Sequence, residues 1–384
     1  MQLEIDDFDP DRRAVLCLHS LQFNRDIAVL QERSTKYIWP ALPDTFLTDT
    51  QTAWMPERAR VQTSYLNESG PDMDAAWAKS KRFAVGILTG LMEKGMKLTA
   101  VMGGNWDYWA EECMRLACAE LGLPFLVLLR EHYLAPNRLE AAMEYYQSFP
   151  RVPEVAGIAV AGPTVIDLAV VLGLFPASKL RATGWPRLDV WRYPVAPRSD
   201  RPVVLMAYLK GYSADEHFIK MLGLFSIVAS RFPQVPFVVK AKNPEEATFL
   251  QGFSDRHGLG LTVVDTWNLQ SLLCNARAVI GFQSVTLYEA LLSPARILIP
   301  RWGQTEQDPL QMAPAPTDER LRGHMEFLTS KEALIRAIEE CVTSDPPPVD
   351  MTARRNLFGA YFTYTADISA VERVEQFVDD FGKR

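Results

Sequence analysis

The sequence lacks a long apolar run. No segment approaches the ~18 uninterrupted apolar residues that a membrane-spanning helix needs. The first nine residues, from Met1 to Asp9, are acidic and show no basic-then-apolar signal pattern. Both absences predict a cytoplasmic protein. Peripheral association with the inner face of a membrane stays compatible with them.

The sequence also lacks an excess of positive charge and any metal-binding cysteine spacing. Its formal net charge is −7, which argues against nucleic-acid binding through a basic surface. The five cysteines are scattered, without a Cys-x-x-Cys or Cys/His pattern, and most fall in apolar segments. We therefore expect buried thiols in a reducing compartment and no metal centre.

Strands and helices alternate along most of the chain, which indicates doubly wound α/β domains with parallel sheets. Apolar runs predict strands at 14–18, 98–102, 124–129, 155–161, 180–183, 203–208, 236–240, 261–264, 278–280 and 296–300. Helical periodicity predicts helices at 24–36, 72–94, 106–121, 138–148, 164–173, 214–232, 268–276, 331–342, 353–364 and 369–381, and one from Pro244.

The chain is long enough for two such domains, since it has 384 residues. A proline-rich stretch after residue 183 interrupts the alternation and predicts the boundary between them. We expect an N-terminal Rossmann-like domain at 1–190 and a second one at 191–348, facing it across a cleft. The helices of 349–384 are expected to pack back on the first domain.

The segment 277–303 predicts one βαβ unit with a binding site at its turn. Its helix begins near Ser284, with Thr286 in the first turn and Glu289 about one turn later. Free N–H groups at a helix start favour an anion, and a carboxylate one turn on can reach a sugar hydroxyl. A nucleotide phosphate site is one interpretation. A plain helix cap at Ser284 with a surface Glu289 is the other.

Further residues are assigned to the same donor site because they lie at neighbouring strand ends. Lys240 and Lys242 lie at the end of one strand, Lys210 follows another, and Gln283 precedes Ser284. The two lysines at 240 and 242 share a direction in an extended segment and can flank a phosphate. The alternative for these two is a pair of solvated side chains at a sheet edge.

A second candidate site lies in the N-terminal half, where ligands of open α/β sheets sit outside the carboxyl ends of strands. Glu131 and His132 follow the strand at 124–129, His19 follows the first strand, and Asn105 follows the strand at 98–102. Glu131 is the first candidate for a general base on an acceptor hydroxyl, and the two histidines are its rivals. An Arg130–Glu131 pair that closes the sheet edge is the structural alternative.

Four motifs carry a resemblance to a known group of proteins. Thr183-Gly-Trp-Pro-Arg-Leu-Asp189 resembles the "G-x-P-R-x-D" connector of bacterial surface-carbohydrate and capsule polysaccharide biosynthesis proteins and their teichoic-acid polymerase relatives. Gly281-Phe-Gln-Ser-Val-Thr-Leu-Tyr-Glu-Ala290 resembles their donor-phosphate motif. Gly122-Leu-Pro124 and the tail that starts at Ala366 are similar to their "lGiP" strand and C-terminal helix.

This resemblance implies a GT-B fold and transfer of a sugar, or a polyol phosphate, from a nucleotide-activated donor to a glycan or lipid-linked acceptor. It implies that Ser284 and Thr286 bind donor phosphate and that Glu289 binds the ribose. The chain departs from relatives with cytidine-nucleotide donors, which often have Lys-x-His-Pro where this sequence places Asn243 before Pro244. That departure argues against a cytidine-type donor.

The sequence therefore predicts a metal-independent GT-B glycosyltransferase with no cofactor besides its nucleotide-sugar substrate. No Asp-x-Asp motif of the metal-dependent sugar transferases stands in a suitable place. Two alternatives stay open. One is a nucleotide-sugar 2-epimerase of the same fold, and the other is a non-catalytic module that binds a nucleotide or a glycan.

Overall fold

The structure of the protein is a computed structural model, and two compact units divide its described residues. Unit 1 takes in the described parts of 8–129, 139–189 and 360–382, and unit 2 takes in those of 190–359. The described residues are 8–18, 23–43, 45–60, 64–129, 139–149, 152–207, 216–265, 268–282, 284–302, 314–344, 348–365 and 367–382.

Strands and helices alternate in both units. The strands are β1 (Arg13–Cys17), β2 (Tyr37–Ile38), β3 (Lys97–Gly103), β4 (Phe125–Leu128), β5 (Gly157–Val160), β6 (Leu180–Ala182), β7 (Val203–Met206), β8 (Phe237–Lys240), β9 (Thr262–Val264), β10 (Ala278–Ile280), β11 (Arg296–Pro300) and β12 (Glu326–Leu328). The helices are α1 (Asn24–Arg33), α2 (Phe46–Thr52), α3 (Pro71–Glu93), α4 (Glu112–Leu121), α5 (Leu139–Gln147), α6 (Pro163–Val171), α7 (Glu216–Arg231), α8 (Pro244–Arg256), α9 (Leu269–Cys274), α10 (Val285–Glu289), α11 (Lys331–Thr343), α12 (Met351–Phe362) and α13 (Ala370–Phe381).

Unit 1 is built on a six-stranded parallel sheet with the order β2-β1-β3-β4-β5-β6. The strand order reverses between β1 and β3, so the carboxyl ends of these two strands mark the switch point of this sheet. The C-terminal helix α13 belongs to this unit. Its apolar face, predicted from helical periodicity, joins the core with Val371, Val374, Phe377 and Val378, packed with residues of β1, β3, β4 and β5.

The connector motif at residues 183–189 holds separate segments of unit 1 together through hydrogen bonds and close packing. Both carboxylate oxygens of Asp189 accept hydrogen bonds from the backbone at the start of α13, from Ala370 N at 2.8 Å and Val371 N at 3.2 Å. Gly184 has a φ of +72°, and a Cβ there would lie 2.7 Å from the carbonyl oxygen of Phe362. Only glycine fits this backbone without strain.

Two further side chains of the connector contact the N-terminal part of unit 1. Arg187 forms an ion pair with the buried Asp26 of α1, and its guanidinium lies 4.0 Å from the ring centroid of Trp185. The Trp185 indole donates to the carbonyl oxygen of Leu129 at 2.7 Å. Burial raises the pKa of the Asp26 carboxyl, against the opposing charge of Arg187. These contacts give the motif a folding role inside unit 1.

Unit 2 has a second six-stranded parallel sheet, with the order β12-β11-β10-β7-β8-β9. Read along the chain from β7, this is the 3-2-1-4-5-6 order of a Rossmann fold, with its switch point between β7 and β10. The register pairs Ile280 with Leu205 and Met206 with Lys240. Both sheets therefore match the predicted pair of Rossmann-like domains.

Several predicted elements differ from the observed ones. The helix predicted at 106–121 begins at Glu112, because the residues before it form a turn-rich loop at the end of β3. The helix predicted at 24–36 ends three residues earlier, at Arg33. The helix predicted at 72–94 is observed as α3, and its buried face passes through Ala84 and Leu88. The short strands β2 and β12 were not predicted, since two or three residues show no periodicity.

Candidate functional site

Five of the predicted donor residues are described, and they lie at or after the carboxyl ends of β8 and β10: Lys240, Lys242, Ser284, Thr286 and Glu289. At the end of β10 the chain turns at Gly281, where a Cβ would lie 2.9 Å from Leu287 Cδ2 and 3.2 Å from Met206 Cβ. This close approach of β7, the turn and α10 favours glycine, since any larger residue would have to displace Leu287. The following helix therefore starts directly beside the switch point of the sheet.

Ser284 is the N-cap of α10, which is the contact that the helix-cap alternative predicts. Its hydroxyl oxygen accepts a hydrogen bond from Thr286 N at 3.1 Å, and both side chains are half-buried. The helix is short, spanning Val285–Glu289, and continues as a single 3-10 turn over Ala290–Leu292. Ser284 thus has a structural contact of its own, and its hydroxyl proton is still available to a ligand.

Glu289, the last residue of α10, is half-buried and contacts the buried Trp191. The Trp191 indole donates from Nε1 to Glu289 Oε2 at 3.1 Å. Trp191 lies in the 3-10 segment Pro186–Arg192, far from Glu289 in sequence. Sequence reasoning missed this contact, because no local pattern pairs residues 98 positions apart.

Lys240 and Lys242 lie at and just after the end of β8, where the sequence predicted a strand end, but their environments differ. Lys240 ends β8 and is buried, with Nζ donating to the carbonyl oxygen of Ala241. Lys242 is exposed. The backbone N–H of Lys242 donates to the carboxylate of the buried Glu246, and Glu246 N donates to Asn243 Oδ1 at 2.8 Å. Asn243 therefore caps α8 at the position where the resembled relatives often carry histidine.

Arg301 is a further cation at this sheet edge that the prediction did not assign. It follows β11 directly, and its backbone N–H donates to the carbonyl oxygen of Leu328 at 2.7 Å. Because β11 neighbours β10, Arg301 lies on one side of the switch point and Lys240 on the other. Its sequence signal was similar to that of Lys240, since each is a basic residue at the end of a buried strand.

The end of β3 in unit 1 holds a group of buried polar residues. Asn105, which the sequence placed in the second candidate site, is buried. Its backbone N–H donates to Glu111 Oε2 at 3.3 Å. Glu111 is also buried and lies against Gly103, where a Cβ would contact its carboxylate. Glu112 and Arg115 form a buried ion pair one turn into α4. The prediction missed these acids because they sit inside an otherwise apolar stretch.

The remaining predicted site residues lie outside the described residues. These are the three base candidates His19, Glu131 and His132 and the donor-site residues Lys210 and Gln283. Their assignments stay predictions.

The cysteines form no disulfide, and their thiols are shielded. Four of them are buried and Cys274 is half-buried. Burial raises the pKa of the Cys118 thiol to about 12, so this group is a poor nucleophile at neutral pH. Among the described residues, no group of three or more His, Cys, Asp or Glu side chains is arranged to hold a metal ion. None of the helices in the described part combines the length and the apolar character that crossing a membrane requires.

Neither a protein-family model nor a curated protein sequence matches this chain. Solved structures do match. UDP-GlcNAc 2-epimerase from Neisseria meningitidis, solved with UDP-GlcNAc bound, has a TM-score of 0.54 and 14% identity, over 95% of this chain and 99% of that one. A glycosyltransferase from Rickettsia africae ESF-5 has a TM-score of 0.54 and 11% identity, over 96% and 99%. Os79 from O. sativa, solved with UDP and deoxynivalenol-3-glucoside, has a TM-score of 0.55 and 12% identity, over 95% and 100%.

These likenesses extend over nearly the whole chain and show its fold, which is of the GT-B type. They confirm the predicted fold class of two Rossmann-like domains. The narrower resemblance to capsule polysaccharide and teichoic-acid polymerase proteins stays a prediction.

Proposed function

We propose that the protein is a glycosyltransferase that binds its nucleotide-sugar donor on unit 2. The observation that carries the proposal is the position of Ser284 at the N-cap, and of Thr286 and Glu289 within, the short helix α10, which starts beside the switch point of a sheet with Rossmann strand order. Ligands of such sheets bind at this point. Structures with the same fold, solved with UDP or UDP-GlcNAc, support a nucleotide-sugar ligand.

Each donor-site residue has a definite role in this proposal. The hydroxyls of Ser284 and Thr286 donate to the donor phosphates, and the Glu289 carboxylate accepts from the ribose hydroxyls. Lys240, Lys242 and Arg301 supply positive charge at the same sheet edge. In the transfer step the bond between the sugar C1 and the phosphate oxygen breaks, and these cations stabilise the charge that develops on the leaving phosphate.

The acceptor is assigned to unit 1 in this proposal. A glycan or lipid-linked acceptor hydroxyl attacks the sugar C1, and a base takes its proton if the reaction inverts configuration. Glu131, His132 and His19 are the candidate bases, and Asn105 is the acceptor-side residue at the end of β3. A role in surface polysaccharide biosynthesis, with peripheral membrane association, belongs to the same proposal.

A nucleotide-sugar 2-epimerase is the second candidate. A specific observation favours it, since several solved structures of this fold are UDP-GlcNAc 2-epimerases, among them those from Neisseria meningitidis and Methanocaldococcus jannaschii. Such an enzyme would use the same nucleotide site and need no acceptor. Product analysis separates the two candidates, because a transferase releases free nucleotide and an epimerase returns an intact nucleotide sugar with inverted C2.

The first test is a thermal-shift panel of CMP, CDP, UDP, GDP, ADP and dTDP. A nucleotide at about 100 times its Kd stabilises the folded protein by about 2.7 kcal/mol, which is readily detected. We expect one base to give a clear shift and Ser284→Ala to reduce it. A panel without any shift would contradict both enzyme candidates.

Ser330→Ala is the matched control for Ser284→Ala. Ser330 is likewise a helix N-cap, since its hydroxyl oxygen accepts from Ala333 N in the first turn of α11 at 3.1 Å, the same length as the bond from Thr286 N to Ser284. Both substitutions remove a helix cap at a cost of about 1 kcal/mol. Only Ser284→Ala should also weaken nucleotide binding. Binding without turnover of any nucleotide sugar would instead favour a non-catalytic module.

A further inference from the structure

The hydrogen bond between Trp191 and Glu289 joins the candidate nucleotide site to the segment that enters unit 2. Trp191 is 8% exposed and Glu289 is half-buried, so the hydrogen bond between them is partly shielded from water. An indole is a donor only, and an ionised carboxylate is an acceptor only. The 3.1 Å contact between Nε1 and Oε2 is therefore charge-assisted and fixes the rotation of the Glu289 carboxylate.

The segment that carries Trp191 is anchored at other points as well. The carbonyl oxygen of Tyr193 accepts from Gln270 Nε2 at 2.7 Å, and Arg198 N donates to Asn275 Oδ1 at 2.7 Å. Gln270 and Asn275 are both buried. Since these contacts already hold the segment on unit 2, the Trp191 bond is not needed for anchoring alone. What distinguishes it is its partner, the carboxylate of Glu289 in the candidate nucleotide site.

We propose that Trp191 is a positioning residue for the nucleotide, because it holds the Glu289 carboxylate in the orientation that accepts hydrogen bonds from the ribose. This inference rests on the proposed function. A carboxylate with a fixed orientation loses less rotational freedom when the ribose binds, so affinity and the preference for ribose over 2′-deoxyribose both increase.

The test compares the nucleoside diphosphate selected by the panel with its 2′-deoxy form, for example UDP with dUDP, by calorimetric titration. In the wild type we expect the ribose form to bind about tenfold more tightly, the effect of one hydrogen bond to a charged group. Trp191→Phe keeps an aromatic ring and removes the donor. It should reduce this ratio to about threefold or less, mainly by weakening the ribose form.

Gln270→Leu is the matched control, because it removes another anchor of the same segment without touching Glu289. It should leave the ratio of the two dissociation constants unchanged. An equal change in both variants, or an unchanged ratio in Trp191→Phe, would overturn the positioning role while leaving the proposed function intact. If Trp191→Phe does not fold, Trp191→Leu serves instead, since it also removes the donor and keeps an apolar side chain. If the wild type binds no nucleotide, the proposed function and this inference both fall.

Discussion

Glu375 is a buried carboxylate on α13, and one of its oxygens accepts three hydrogen bonds. Oε1 accepts from Ser34 Oγ at 2.7 Å, Thr35 N at 2.8 Å and Lys36 N at 2.9 Å. Glu375→Ala leaves these donors without the acceptor, so we expect the free energy of unfolding to fall by about 2–3 kcal/mol. Glu375→Gln keeps a carbonyl oxygen and should lose only about 1 kcal/mol.

Urea denaturation of the wild type, Glu375→Ala and Glu375→Gln measures this difference in the free energy of unfolding. Gln376→Ala is the control, since Gln376 is exposed on the same helix and its loss should change stability by no more than about 0.5 kcal/mol. Equal losses for Glu375→Ala and Glu375→Gln would mean that the charge, and not the acceptor oxygen, stabilises the turn.

Asp379, one turn further along α13, gives unit 1 a stability that depends on pH. Burial acts to raise the pKa of its carboxyl, but the hydrogen bonds from Lys36 and Tyr37 and the nearby positive charges outweigh burial and lower the pKa. The two bonds are 2.9 Å and 2.7 Å long. Because the folded state holds this proton more weakly, the stabilisation is complete above the unfolded pKa of about 3.9 and is lost as pH falls through the folded value.

Asp379→Asn should therefore be less stable than the wild type at pH 7. The difference in free energy of unfolding between the two proteins should decrease as the pH falls from about 4 towards 2. Urea midpoints measured across this range check the expectation. Tyr37→Phe removes one of the two bonds and should reduce the pH-dependent part only partly. A gap that stays constant from pH 7 to pH 2 would show that Asp379 acts by packing alone.

At the scale of elements, the start of α13 shows how a distant residue completes a helix. Its first three N–H groups all have acceptors, because Asp189 accepts from Ala370 and Val371, and the Ser369 side chain accepts from Glu372. Free N–H groups at a buried helix start are costly. Asp189 is therefore a cap supplied by the connector.

Asp189→Ala should lower the free energy of unfolding by about 2–3 kcal/mol, because two buried N–H groups lose their acceptor. Ser369→Ala removes one exposed cap and should cost about 1 kcal/mol. Thermal or urea unfolding of both variants compares them directly. If Ser369→Ala were the more costly of the two, Asp189 would not be the main cap of this helix.

The elements that were predicted well have strong local signals. β10 and β11 were placed at their observed bounds because each is a short apolar run between turn residues, and α10 was placed by its Ser284 cap. The helix predicted from Trp106 started six residues early, because buried Trp106, Trp109 and Ala110 occur at helical spacing in a loop. There the packing of aromatic side chains outweighs local propensity.

The candidate site was predictable in its residue types and not in its contacts. Basic and hydroxyl residues after apolar strands marked Lys240 and Ser284, since parallel strands end at one edge of a sheet. The bond from Trp191 to Glu289 and the burial of Lys240 depend on how separate segments pack. Residues such as Asp189 were read as family motif positions, and their capping role follows only from the three-dimensional contact with α13.

At the scale of the whole molecule, the two units differ in how the chain builds them. The strands of the unit 2 sheet, β7 to β12, all lie within the continuous segment 190–359. Unit 1 is completed only by residues 360–382. Four buried residues of α13 cover the sheet of this unit: Val371, Val374, Phe377 and Val378. Burying their apolar side chains contributes about 6–12 kcal/mol to the free energy of unfolding. This is comparable to the whole stability of a typical domain.

Residues 190–359 should consequently fold alone with a cooperative unfolding transition, and residues 1–189 should not. Joining 1–189 to 360–384 through a Gly/Ser linker should restore folding, because the linker returns α13 and its contact with Asp189. Circular dichroism and urea unfolding of the three fragments check this. A folded 1–189 fragment would show that unit 1 does not need α13 to fold. Failure of the linked fragment, with 190–359 folded, would mean that unit 1 needs unit 2 to fold.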